Sequence, residues 1–348
     1  MKRSTLIFAS LLLFVSSVLF TACETDIDVS ADYKDITVVY GLISKNDSVH
    51  YIKVNKAFLG DGNSLEYAQV ADSSSYYDNL EVTLTEKQEN SVIRVITFDT
   101  VHIADKKDGV FYSPKQVVYS SDFEIPVDVD SKDYTYDLLV RNKVTGKEVT
   151  SSTHLVKNFD ILTPRFGQPT IDFISPSAQQ VKWRTAKDGR RYDVFIRFWF
   201  EEVLAPNNDT IDRYFDWKLG SAKATFLDGK EELIIPYVPD GIFGIAQSLI
   251  PRRGVDGNGI SEEDVIARLT NTAEFTVVVS GDALNTYLDV NEPSSGIIQD
   301  RPEYTNINNG LGLFSSRFAK STIIKVGAKT EARLMEISSL KFVDKLGN

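Results

Sequence analysis

Residues 192–201 read Tyr-Asp-Val-Phe-Ile-Arg-Phe-Trp-Phe-Glu, with a large apolar side chain at every second position from Tyr192 to Phe200. Tyr192, Val194, Ile196, Phe198 and Phe200 share one face only if the backbone is extended, because side chains alternate along a strand and a helical period would scatter them. That face must be covered by other apolar groups, so the chain has to build a sheet with a packed inner side. The pattern recurs at 79–85, where Leu80, Val82 and Leu84 alternate with polar residues. Segments 36–43, 49–58, 92–98, 134–141 and 149–156 are rich in β-branched and aromatic residues. The chain has one cysteine, Cys23, so no disulfide can form within it and burial with sheet hydrogen bonding must hold the strands. A content of 20 Phe and 15 Tyr is ample for that and argues against a disordered stalk.

Residues 158–176 carry Pro164, Pro169, Pro176 and Gly167, which interrupt strand pairing and place a domain boundary near residue 163. Residues 35–162 read as an immunoglobulin-like sandwich. Tyr134 leads into its terminal hairpin, turned at Thr145-Gly146, in the manner of a tyrosine corner. Residues 163–348 read as a second β-sandwich or barrel, with strands at 181–185, 192–203, 222–227, 231–237, 275–280, 312–318 and 323–328. Two short helices interrupt it. The first, 241–250, is stopped by Pro251; the second, 261–271, is capped by Ser261 with Glu262, Glu263 and Asp264 in its first turn. The expected fold is mainly β, two antiparallel β domains in tandem.

The N-terminus has a different character. Lys2 and Arg3 precede an apolar run of 15 residues, 6–20, which is the length of a secretory leader and shorter than a spanning helix. Thr21-Ala22-Cys23 follows, with the small residue that lipoprotein processing requires before cysteine. Residues 1–22 are thus expected to be a lipoprotein signal peptide, Cys23 the acylated N-terminus, and 23–34 an acidic tether with Glu24, Asp26, Asp28 and Asp32. Two or three acyl chains anchor a protein stably where one does not. Loss of residues 1–22 takes the formal net charge from −11 to −13 over 326 residues. Nucleic acid and anionic headgroups are poor partners for such a surface.

Catalytic machinery is thin, and no catalytic residue, metal ligand or cofactor is expected. His50, His102 and His154 fall in or beside strands without a second histidine at ligand spacing, and neither a zinc-protease helix motif nor a Gly-x-Ser-x-Gly elbow occurs. With 49 Asp and Glu, carboxylate pairs arise by abundance, so a hydrolase with a carboxylate site stays open as an alternative. Residues 255–261, Val-Asp-Gly-Asn-Gly-Ile-Ser, resemble the middle of a calcium loop. Its first ligand position would fall on Gly254 and its bidentate acid on Val265, and a turn leading to Ser261 explains the same residues.

The candidate ligand-binding residues are Phe195, Arg197, Trp199 and Glu201, which share the other face of the 192–201 strand with Asp193. An aromatic, a cation and an acid in one row suit sugar stacking or peptide docking. The competing and favoured reading is that the helical insertion or the neighbouring domain covers that face, leaving Trp199 a core residue.

Residues 304–317 carry the sharpest motif, Asn306-Ile307-Asn308-Asn309-Gly310-Leu311-Gly312-Leu313-Phe314 at its centre. Asn309-Gly310 is expected to supply positive φ for a tight turn, and Gly312 to admit close backbone approach. This segment resembles that of a Bacteroidota outer-membrane lipoprotein family catalogued as domain of unknown function 4249. Cys23, Val38-Val39-Tyr40-Gly41-Leu42, the hairpin ending at Thr145-Gly146 and the Tyr287-Leu288 step extend the likeness over nearly the whole chain after Cys23. The resemblance implies an envelope lipoprotein, at the cell surface or the periplasmic face, partnering a TonB-dependent outer-membrane transporter. It assigns no catalytic residue. The functional expectation is a non-enzymatic binding or accessory component, with a glycan-binding surface module as the alternative beside the hydrolase.

Overall fold

The computed structural model describes residues 34–59, 64–104, 107–110, 112–113, 115–251, 254–292 and 303–344; the leader, Cys23 and the tether through residue 33 lie outside the described residues. The first half contributes β1 (Lys34–Ile43), β2 (His50–Leu59), helices α1 (Ser64–Ala68) and α2 (Ala71–Ser74), then β3 (Leu80–Gln88), β4 (Ser91–Ile103), β5 (Gln116–Ser121), β6 (Tyr134–Asn142) and β7 (Glu148–His154). The second contributes β8 (Ile161–Thr163), β9 (Thr170–Ile171), β10 (Gln179–Arg184), β11 (Arg191–Leu204), β12 (Asp209–Lys223), β13 (Glu232–Tyr237) and α3 (Gly241–Leu249). It continues through β14 (Val265–Ser280), α4 (Asp282–Asn291), β15 (Leu311–Val326) and α5 (Ala328–Met335).

The protein is mainly β, with two β-sandwich cores. The first gathers the inward residues of β1 to β7, including Val39, Ile52, Leu84 and Tyr136. Long β4 joins the two layers of this sandwich: 91–98 pair with β3, and 99–103 with β5. Tyr134 leads into β6, but its hydroxyl donates to the side chain of Asp128, Oδ1 at 2.8 Å, and not to the upstream backbone as in a tyrosine corner. In the second core the three-stranded sheet β13-β10-β8 faces the strands β12-β11-β14-β15 across Trp183, Phe173, Phe198 and Phe275, all nearly or wholly buried.

The two halves share one 12-stranded sheet, ordered β12-β11-β14-β15-β1-β2-β5-β4-β3-β6-β7 with β9 beside β15. The joint is β15. Its first residues run parallel to β1, from Val38↔Leu311 to Ile43↔Ser316, and its remainder runs antiparallel to β14, from Ser280↔Arg317 to Thr272↔Lys325. Phe314 accordingly enters the first core, while Phe318 and Ile324 enter the second. The single cut expected at 163 therefore differs from what is seen: Leu155 packs in the first core and Val156 in the second, and Ile307 and Phe314 return to the first. Pairing is also not wholly antiparallel, since β15 lies parallel to β1 and β9. No hairpin links β15 to β1, so nothing local fixes their relative direction. At the junction, Asp133 Oδ1 accepts from Lys187 Nζ at 2.5 Å and Lys157 Nζ at 3.0 Å, which holds its carboxyl down at about 2.

The helix expected at 261–271 is not formed. Ser261 N and Oγ both bond Asp264 Oδ2, at 2.7 and 2.8 Å, closing one turn, and the chain then extends as β14 from Val265. Strand pairing with β11 outweighs the local cap signal there, because Arg268 on β14 meets Glu202 on β11 in register. The helix at 241–250 is present as α3, and 312–318 with 323–328 are one strand, β15.

Candidate functional site

β11 lies between β12 and β14, and its burial alternates strictly from Arg191 to Glu202. The inward row carries Ile196, Phe198 and Phe200, wholly buried. The outward row carries Phe195, Arg197, Trp199 and Glu201, each half-buried. Of the two covers expected for this row, the helical insertion lies elsewhere: Ile242, Phe243 and Ala246 of α3 pack into the same core as Phe198, on the opposite side of the sheet.

Register brings partners to each residue. Trp199 lies opposite Tyr214 on β12, with ring centroids 4.9 Å apart, and Tyr214 is 51% exposed. Arg197 lies opposite Asp216 and binds it in bidentate fashion, Nε to Oδ1 at 2.8 Å and Nη2 to Oδ2 at 2.9 Å. The hydrogen bonds it donates to Asp216 hold the guanidinium above its ordinary value. Its carbon stands 3.9 Å from the Tyr214 ring centroid and 5.6 Å from that of Trp199, within the range of cation–π attraction. Trp199 Nε1 donates to Glu274 Oε2 on β14 at 3.1 Å, and Asn271 Nδ2 to Glu201 Oε1 at 3.3 Å. The result is a fixed platform of two rings and an oriented cation.

Tyr214, Asp216 and Glu274 were not among the candidates read from the sequence. Ile211, Arg213, Phe215 and Trp217 alternate with Asp212, Tyr214, Asp216 and Lys218, and that period-two signal marks β12 from Asp209 onward.

The remaining sequence candidates are structural or scattered. Asn309 has φ 59°, and Gly312 has φ 111°. Gly310 corrects the expectation, because its φ is not positive; it is required by close approach, where an added Cβ would meet Thr37 O at 2.6 Å. Asn306 completes the clasp: its Nδ2 donates to Phe314 O at 2.6 Å and its Oδ1 accepts from Phe314 N at 2.9 Å. Asp256 in the 255–261 loop accepts from Asn258 N, Ile260 N and Arg213 Nη2, so its carboxylate serves the turn. His50 is buried, stacked 4.3 Å from Phe123, and burial pushes its imidazole below the ordinary value; His102 lies 3.4 Å from Asp78, and His154 3.4 Å from Thr135 Oγ1. Among the described residues no three His, Cys, Asp or Glu side chains gather as a metal site, and no helix is long and apolar enough to cross a membrane.

Comparison with protein-family models and with curated proteins gave no match. Among solved structures, a DUF4785 family protein from Legionella pneumophila is similar at 10% identity and TM-score 0.20, over 69% of this chain and 52% of that one. The chain thus spans about half the length of that structure, and the likeness carries no argument.

Proposed function

We propose that this chain is a lipid-anchored, non-enzymatic binding component of the outer membrane, with the Arg197–Trp199–Tyr214 face as its recognition surface. The observation that carries the reading is a sheet face, opposite the side on which α3 packs, where two aromatic rings stand 4.9 Å apart beside a cation fixed by Asp216, with Tyr214 51% exposed. Exposed aromatic pairs present a large apolar area at little conformational cost, and a neighbouring cation orients what stacks on them. The acids of this face, Asp216, Glu274 and Glu201, each accept a hydrogen bond from the face itself, which suits positioning better than hydrolysis. Stacking platforms of this kind also suit a glycan ligand. Anchoring rests on the leader and Cys23, and the TonB-dependent transporter as partner rests on the family resemblance.

Trp199→Ala should remove the partner or ligand that copurifies from native membranes in mild detergent. Because the side chain is only half-buried, the change should cost clearly less than the roughly 3–5 kcal/mol of a core aromatic truncation. Partner retention, or a stability loss of core size, would sink the platform. Cys23→Ser should move the protein out of the membrane fraction, and a variant that stays there after a salt wash would refute lipid anchoring.

A further inference from the structure

The outer side of β1, β2 and β5 in the first domain is concave. Helix α4 lies on β15 along one margin and α2 on β2 along the other. Between them are two adjoining cavities of about 440 Å³ each, which share Tyr40 and Lys53. Both volumes fall in the range of small-molecule sites, about 300–1,000 Å³.

The two arms differ in character. The arm under α4 is lined by Leu42, Val49, Tyr51, Leu284 and Leu288, and its charged residues other than Lys53, Arg317 and Asp47, stand 3.6 Å apart as a pair. The arm toward α2 is lined by Asn55, His102, Tyr112, Lys115 and Gln116, with no Asp or Glu among its described lining residues, in a chain of net charge −11. Lys53 stands where they meet, its Nζ donating to Gln116 Oε1 at 3.1 Å. Tyr40, 42% exposed, packs edge-on to Tyr287 of α4 with ring centroids 6.1 Å apart. The hydrogen bond to Tyr287, with burial, pushes the Tyr40 hydroxyl up to about 12.

We propose that this groove binds an amphipathic carboxylate, its alkyl or aryl body against Leu42, Val49, Leu284 and Leu288 and its carboxylate toward Lys53 and Lys115. An aliphatic wall offers a sugar hydroxyl no partner, whereas it gains from an apolar body by burial alone. The arm toward α2, whose described lining carries Lys53 and Lys115 and no carboxylate, supplies the complementary charge, and a charge-assisted hydrogen bond in a partly desolvated site is stronger than a neutral one. The site lies between the first domain and α4 and β15 of the second half, and shares no lining residue with the Trp199 face.

The test uses 4-phenylbutyrate and its neutral counterpart 4-phenylbutanol, with binding to the full-length chain in neutral detergent read by saturation-transfer NMR. The acid should bind at least about tenfold more tightly than the alcohol, the scale of one charge-assisted hydrogen bond. Lys53→Met and Lys115→Gln should each weaken the acid by about tenfold and leave the alcohol unchanged. Leu288→Asp should abolish binding of both. Lys115 is exposed, so its variant keeps the test decisive if Lys53→Met folds poorly. Equal affinity for acid and alcohol, affinity insensitive to both lysines, or no saturable binding of the acid in the millimolar range would overturn the proposal.

Discussion

Arg268→Ala should lower the unfolding free energy by about 3–5 kcal/mol, the scale of stranding one partner of a buried ion pair. Arg268 is wholly buried and uses all five of its N–H donors. Nε and Nη2 donate to Glu202 Oε1 at 3.0 and 2.8 Å, Nη1 and Nη2 to Glu262 Oε1 and Oε2 at 2.9 and 2.7 Å, and Nη1 also to Leu340 O at 3.0 Å. One side chain thereby ties β14 to β11, to the turn before it and to the C-terminal segment. Glu202 is as deeply buried, and Arg213 Nε reaches its other oxygen at 3.1 Å. Removing Arg268 leaves the buried Glu202 without the bidentate donor to its Oε1, with Arg213 still on Oε2. Arg268→Lys should fall between, since an ammonium cannot reproduce the planar fork. The double change Glu202→Leu with Arg268→Met should cost less than the sum of the two single changes, because neither charge is then stranded. Urea unfolding of the four variants measures this, and a loss below about 1 kcal/mol for Arg268→Ala would show that water or a neighbour replaces the arginine.

The strands that could be read from sequence are those whose own side chains declare a face. β11, β3 and β6 alternate so regularly that their inner rows were legible residue by residue, and the outer row of β11 followed without further information. What could not be read is register. Tyr214 and Asp216 acquire their meaning from lying opposite Trp199 and Arg197, and a single sequence does not state which positions of two strands meet. The helix expected at 261–271 failed for a related reason: Ser261 and three following acids satisfy a local cap rule, while the preference of Arg268 for Glu202, 66 residues away, is invisible locally. The groove at Tyr40 was equally hidden, since its two walls come from residues near 40 and near 287. Joining the halves through β15 is the most non-local feature of all, and it explains why the motif at 306–314 lies so far from the domain it closes.

Gly312→Ala should destabilise the whole molecule by at least about 3 kcal/mol, combining a strained positive φ of roughly 1–3 kcal/mol with overpacking of similar size. Gly312 has φ 111°, and a Cβ built on it would stand 2.0 Å from Val39 O and 2.9 Å from Val39 C. These are backbone atoms of the paired strand, Val39 being the register partner of Gly312, so no rotamer can relieve the contact. The only relief is for β1 and β15 to separate, and those strands join the two cores. Gly167→Ala is the matched control, with φ 81° and open space around the added carbon, so it should show the conformational cost alone, about 1–2 kcal/mol. Hydrogen exchange should localise the difference, with amides of 38–43 losing protection in Gly312→Ala and keeping it in Gly167→Ala. Equal losses for the two glycines would mean that the β1–β15 pairing tolerates a side chain at its tightest point, and that the conjunction of positive φ and close approach is not what this motif provides. A larger loss confined to Gly312, with β1 exchanging faster, follows directly from the clash an added Cβ would make with Val39 O and identifies the parallel pair as the element on which both sandwiches depend.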